Sequence, residues 1–204
     1  MTLKKIMLVA GMAMAAAAMS APAAQAHAPQ WYHEGNVLGN QGNGKALHVQ
    51  GELASTVIGG GMITGPCEVT FEGEAWNENG MADGVITGGE IQEECETSVE
   101  GCTVRPTLLN FPWDLTGITV TEQTGLEITT VEFENHYIGG CPVPVTTFVA
   151  TGTVTGIVDG SDPRCIDFEN HTDAVQIHVS GLPTLTIDIL GTVCDTTLTL
   201  NVIA

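Results

Sequence analysis

Two separate parts of the chain carry residue types that bind metal ions. Asp159, Asp162 and Asp167 lie in residues 159–173, a segment rich in the oxygen ligands that calcium prefers. Their spacing does not match the loop of an EF-hand. The segment therefore indicates either an irregular calcium loop, which would make the protein a calcium-dependent binding module, or a plain hairpin loop held by Cys165.

His27 is the second metal candidate because of its position. Residues 24–26 read Ala-Gln-Ala, an A-x-A cleavage site, so cleavage after Ala26 makes His27 the new N-terminus. A terminal amine and an imidazole in one residue suit copper, as in exported copper oxygenases that cut polysaccharides. Ala26-His27-Ala28 is also an A-x-A site, and cleavage after Ala28 would discard the histidine. A second histidine ligand would come from His33, His48, His136, His171 or His178.

The sequence contains no comparable pattern for catalysis. No serine lies in a G-x-S-x-G elbow. The glutamates of residues 93–100 indicate a solvated acidic loop rather than a glycosidase pair, since such enzymes need an aromatic-lined cleft and aromatic residues make up 5% of the chain. We expect no catalytic residue.

The six cysteines predict three disulfide bonds, because an even count in an exported chain is typical of a disulfide framework. No C-x-x-C occurs, which disfavours a zinc site. About fifteen connectivities are open; we expect Cys95 and Cys102, seven positions apart, to pair by folding back of their loop. The cysteines are Cys67, Cys95, Cys102, Cys141, Cys165 and Cys194.

Residues 1–26 predict a secretory signal peptide. Lys4 and Lys5 precede an apolar run over residues 6–19, which is shorter than the roughly 20 residues that cross a bilayer. We therefore expect an extracellular or cell-surface protein, with the periplasm as an alternative, and no membrane insertion. The 24 acidic and five basic residues give a net charge of −19, which disfavours nucleic acid and anionic lipid as partners.

Period-two alternation predicts antiparallel strands over residues 46–204. In Cys67-Glu-Val-Thr-Phe71 the odd positions are apolar, and similar patterns recur near Val175, Leu185 and Leu198. Between residues 126 and 133 the apolar positions change from even to odd, which indicates a β-bulge near residues 129–130. These patterns predict a single disulfide-stapled β-sandwich of Greek-key or jelly-roll type, with at least two exposed strand edges.

Residues 27–45 are expected to form a flexible arm. Glycine alternates there with asparagine and glutamine, a composition with little to bury. Trp31 and Tyr32 are the exceptions, and we expect them to dock the arm onto the domain or onto a neighbouring molecule.

Residues 67–115 resemble a group of small exported bacterial proteins, the PraB-type activators of alkane oxidation. The resemblance rests on the Cys67–Gly73 motif, on Asn79-Gly80, on a cysteine-bearing loop and on the Pro112-Trp113 pair; the acidic loop and the inserted Asn110-Phe111 depart from the pattern. It implies a secreted surface or biofilm-matrix protein and carries over no catalytic residue. We read Trp113 as a core residue between two sheets.

Together these features predict a secreted structural or adhesive protein that associates with itself or with other surface components. The copper protein and the calcium module remain the alternatives.

Overall fold

Alternating apolar and polar residues form antiparallel strands along most of the described part of the chain, which confirms the predicted all-β sandwich. The structure, a computed structural model, describes residues 28–57, 63–143, 146–168, 175–178 and 184–202. Within these ranges one 3-10 turn, Gln41–Asn43, is the sole helical element. The signal-peptide segment and His27 lie outside the described residues. The strands are β1 (Pro29–His33), β2 (Asn36–Val37), β3 (Lys45–Val57), β4 (Ile63–Glu78), β5 (Met81–Ile91), β6 (Cys95–Glu96), β7 (Cys102–Leu109), β8 (Trp113–Val120), β9 (Gln123–Gly139), β10 (Thr147–Val158), β11 (Cys165–Asp167), β12 (Val175–His178), β13 (Leu185–Asp195) and β14 (Leu198–Val202).

The pairing of the main sheet closes on itself. From β10 the ladder passes through β11 and β12 to β13, then through β3, β4, β5, β8 and β9, and β9 pairs again with β10. Each strand of this circuit has a partner on both sides over part of its length. Strand edges remain elsewhere in the described residues: β6 ends the branch that leaves this circuit through β7, and β14 and β2 are the outer strands of a separate three-stranded sheet.

Burial follows the predicted alternation in most strands. In β4, Cys67, Val69 and Phe71 are buried while Glu68 and Glu72 are exposed. The exception is the start of β13, which was predicted to face inward.

Leu185 at that position is 39% exposed, whereas Ile187 and Ile189 of the same strand are buried. The alternation thus predicts the face of a strand better than it predicts how far the core extends along that strand.

The predicted β-bulge in β9 is confirmed. Val131 pairs with Gly152 and Ile128 pairs with Val154, so two residues of β9 face one residue of β10. Thr130, one of the two, has a φ of 59°, in the left-handed region. The bulge lets apolar residues on both sides of it face the same core.

All six cysteines form disulfides, but the pairing is not the one expected. The bonds are Cys67–Cys95, Cys102–Cys141 and Cys165–Cys194. The prediction of a Cys95–Cys102 bond is wrong because β6 and β7 pair in a register that sets Cys95 opposite Val104. Each cysteine of the loop instead meets a cysteine from another part of the sandwich.

The N-terminal segment is not a loose arm. β1 lies between β14 and β2 in a separate three-stranded sheet, and its register runs from Pro29 opposite Val202 to His33 opposite Leu198. We call β14, β1 and β2 the terminal sheet. The prediction of a flexible arm rested on the glycine-rich composition. It overlooked the short apolar stretch, centred on Trp31, that this segment buries.

One core joins both sheets. It contains Trp31 and Leu200 of the terminal sheet together with Trp113, which is 3% exposed as expected of a core residue. The Trp113 ring stacks on Phe111 with a centroid distance of 4.5 Å, and its Nε1–H donates to the Leu109 carbonyl at 2.9 Å. Its polar atom is thus satisfied within the apolar interior.

Candidate functional site

Two of the three aspartates predicted to bind calcium accept hydrogen bonds from other groups of the protein. Asp159 accepts hydrogen bonds from the backbone N–H and the hydroxyl of Ser161, at 2.7 and 2.8 Å. Asp162 accepts two from the Arg164 guanidinium, at 2.9 and 2.6 Å, and a third from the Arg164 backbone N–H. The loop is therefore organised around one of the few basic residues of the chain.

These contacts lower the pKa of both carboxyl groups. The Arg164 side chain is the main cause for Asp162, whose pKa falls to about 2. For Asp159 the main cause is the hydrogen bond from the Ser161 backbone N–H, which also lowers its pKa. Each shift reports stabilisation of the charged carboxylate by protein donors.

The remaining predicted metal residues are spread over the fold. Asp167 ends β11, opposite Ile157 of β10 and Thr192 of β13. His27 and His171 lie outside the described residues, and so does the side chain of His178. Among the part of the chain that the structure describes, no three His, Cys, Asp or Glu residues form a group suited to a metal ion.

The other candidate histidines sit on different strands. His48 on β3 has its Nδ1 4.0 Å from Glu72 Oε1, and His136 on β9 has its Nδ1 2.7 Å from the Thr147 hydroxyl. His33 ends β1 opposite Leu198. The copper and calcium hypotheses thus stay predictions, while the geometry draws attention to the chain ends.

The terminal sheet is attached to the main sheet by Trp31 and Asn77. The Trp31 backbone N–H donates to Asn77 Oδ1 at 2.8 Å, and Asn77 Nδ2 donates to the carbonyls of Trp31 and Leu38 at 3.0 and 2.9 Å. The Trp31 indole N–H donates to the Asp83 carbonyl at 3.0 Å. Both Trp31 and Asn77 are buried, so these bonds are shielded from water.

Sequence reasoning missed Asn77, because Asn77-Glu-Asn-Gly80 has the composition of a turn. The residue lies instead within β4. Its side-chain amide makes the hydrogen bonds between β4 and the N-terminal segment, which do not pair in a β ladder. Asparagine is common in turns, and nothing in the local sequence distinguishes a strand-end asparagine that bridges two segments.

Asp195 is a second buried polar residue that joins the two sheets. Its Oδ1 accepts from the backbone N–H groups of Thr197 and Leu198, at 2.6 and 2.7 Å, and its Oδ2 accepts from the His48 backbone N–H at 2.8 Å. The carboxylate therefore shapes the turn from β13 into β14 and fastens that turn to β3. The Asp-Thr-Thr sequence after Cys194 was the signal for such a turn, since aspartate commonly bonds the backbone two residues on.

The outward face of the main sheet is strongly acidic. Glu52 and Glu68 are directly opposite each other on β3 and β4, and both are exposed. Among the described residues, the ion pairs that involve an arginine are Arg105–Glu94 and Arg164–Asp162. Like charges opposite each other on neighbouring strands repel, so this face resists close approach of a second copy at low salt.

Comparisons with known proteins add no relative: no protein-family model, no curated protein and no solved structure matches this chain. Helices that are long and apolar enough to cross a membrane are absent from the described ranges. The pairing of β1 with β14 is thus the structural feature that bears most directly on function.

Proposed function

We propose that the protein is a secreted structural component of a cell surface or biofilm matrix and associates with other copies of itself by exchanging β1. The observation that carries this proposal is the pairing of β1 with β14. The first described strand completes a sheet with the last one, and every cysteine lies between residues 67 and 194. No disulfide therefore restrains the departure of the N-terminal strand.

Exchange of such a strand makes a second copy a suitable partner. When identical copies swap an element, each re-forms the contacts that it gave up, so the cost of association is low. Strand addition supplies main-chain hydrogen bonds, and a pocket for a side chain supplies selectivity. The Trp31 pocket, with its bonds to Asn77 and Asp83, is such a receptor for the incoming strand.

The connection between β2 and β3 is suited to act as the hinge. Residues 39–44 include three glycines and form one short 3-10 turn, and all but Gly44 are exposed. In the closed molecule Leu38 is buried, and the Gly39 carbonyl accepts from the Asn77 backbone N–H at 2.8 Å. The exchanged unit is therefore the hairpin of β1 and β2 up to Leu38.

Two further observations support this role, and a third sets a condition on it. Three disulfides are typical of proteins that fold outside the reducing cytosol. The resemblance to PraB-type surface proteins points the same way. The acidic face implies that assembly needs salt or divalent cations to screen repulsion between copies.

A cysteine cross-link tests the exchange directly. Tyr32 and Thr199 are register partners in the β1–β14 ladder. One chain carrying Tyr32→Cys and another carrying Thr199→Cys are mixed, unfolded, refolded together at moderate salt and oxidised. We expect a disulfide between the two chains, found by peptide mass mapping, in the assembled fraction from size-exclusion chromatography with light scattering.

A single chain carrying both substitutions is the matched control. Its cross-link within one molecule locks β1 in place, so it should remain monomeric, and reduction of the new bond should restore assembly. Assembly of the locked chain to the same size as the unaltered one would overturn strand exchange. A monomeric unaltered chain at all protein and salt concentrations would overturn self-association itself.

A further inference from the structure

The interior of the sandwich contains a cavity that the packing of the core leaves open. Its volume is about 120 Å³, and it is lined by side chains from both layers, among them Phe71, Trp113, Leu115, Ile128, Val154 and Val193. Protein interiors are close-packed, and voids larger than a water molecule are few in a domain. A void of this size costs stability when it is empty.

The lining is almost entirely apolar. Five of the lining residues are polar: Ser55 and Thr64, which are cross-strand partners, together with Asn135, Arg164 and Asp195. The Thr64 hydroxyl is within 3.2 Å of the Tyr137 hydroxyl, and the Asp195 carboxylate accepts several backbone N–H groups. The Arg164 guanidinium donates to Asp162, so the charged groups of the lining already have partners within the protein.

Water is a poor occupant of such a space. A buried water needs two to four polar partners, and an apolar cavity of about 150 Å³ in another protein stays dry and takes up benzene or xenon. A charged occupant is also disfavoured, because burying an unpaired charge carries a large penalty. The chemistry that remains is a small, uncharged, apolar molecule.

The wall of the cavity is irregular where β3 pairs with β4. The β3–β4 ladder is interrupted between Leu53 and Ser55, opposite Gly65 and Pro66. Leu53 of β3 and Leu108 of β7 both line the cavity, and each is partly exposed. Because proline has no N–H to donate, Pro66 removes one possible hydrogen bond from the ladder at this point.

We propose that this cavity is a binding site for a small uncharged apolar molecule of about the size of a benzene ring or a short alkyl group. Both layers supply the apolar surface, and the aromatic rings of Phe71 and Trp113 form part of the wall. Most of the lining comes from the strands of the main sheet, and Trp31 of β1 and Leu200 of β14 also contribute to it.

Benzene is the probe, and the unaltered chain is the first sample. We expect a saturable rise in melting temperature, together with nuclear Overhauser effects between benzene and protons of lining residues such as Trp113 and Leu115. Benzoate at the same concentrations should produce neither effect. A linear shift without saturation, or benzoate binding as strongly as benzene, would overturn the proposal.

Cavity-filling variants locate the site. Val154→Leu adds one methylene group at the lining, and Val193→Leu adds one from another strand. If one variant fails to fold, the other still tests the site. We expect the affinity for benzene to fall at least tenfold in either variant. Val37→Leu makes the same change at a valine that is 48% exposed and outside the lining, and it should bind benzene as the unaltered chain does. Equal affinity in all three variants would contradict the assignment of the site.

Discussion

The main sheet and the terminal sheet share one core but are held together by different means. Three disulfides tie β4 to β6, β7 to the segment after β9, and β11 to β13. The terminal sheet contains no cysteine and relies on the β1–β14 ladder, the burial of Trp31 and the Asn77 hydrogen bonds. One region is cross-linked covalently, and the other is held by contacts that can be broken and re-formed.

The difference indicates that the two regions need not open together. A disulfide restricts the unfolded chain between its two cysteines, and residues outside those loops gain nothing from it directly. Local opening occurs where few contacts hold an element. We therefore expect the terminal sheet to open at a lower free energy than the main sheet, which is the property that strand exchange requires.

Trp31→Ala should have the largest effect. Removing a buried tryptophan typically costs about 3–5 kcal/mol, and we expect this loss to appear chiefly as faster amide exchange in β14. Hydrogen exchange followed by mass spectrometry measures it, with Tyr32→Ala, a half-buried neighbour on the same strand, as the milder control. Equal loss of protection in β4 and β14 would show that the two regions open as one unit.

Replacing both Cys165 and Cys194 with alanine should destabilise the main sheet. Their sequence separation is 29 residues, for which the chain-entropy account gives about 3–4 kcal/mol of lost stability. Urea denaturation measures the global free energy of unfolding. The matching variant replaces Cys102 and Cys141 with alanine. That disulfide closes a longer loop, so its loss should lower the free energy of unfolding slightly more. An unchanged urea midpoint in both variants would contradict the role given to the cross-links.

The smallest effect is expected at the loop between β10 and β11, where the Pro163 carbonyl accepts a hydrogen bond from the Leu200 backbone N–H of β14 at 3.0 Å. Arg164→Gln removes the guanidinium from Asp162, so the pKa of that carboxyl should rise from about 2 toward the ordinary value of about 3.9. Because the folded-state pKa is lowered, the pair stabilises the fold above about pH 4, and this contribution is lost as the pH falls through about 2. A carboxyl-detected NMR titration measures the shift, with Arg105→Gln as the control that should leave Asp162 unchanged. An Asp162 pKa that stays near 2 in Arg164→Gln would assign the shift to the backbone N–H instead.

Much of the fold was readable from short patterns, and the errors share a cause. The alternation around Cys67 and the change of phase between Ile128 and Val131 depend on neighbouring residues alone, so both were predicted correctly. The Cys95–Cys102 pair was chosen for closeness in sequence, whereas the register of β6 and β7 decides which cysteine each one meets. Pairing between distant segments leaves little local signal.

The sequence by itself determined the strand character, the inward faces and the number of disulfides, because a period of two and an even cysteine count are local or compositional properties. Tertiary structure alone decided that β1 lies beside β14, that Asn77 and Asp195 join the sheets, and that a cavity remains between the layers. These features depend on which surfaces meet across 39 or more residues of sequence, and many arrangements satisfy the same alternation. Burial of Trp31 and the partners of its backbone select one of them.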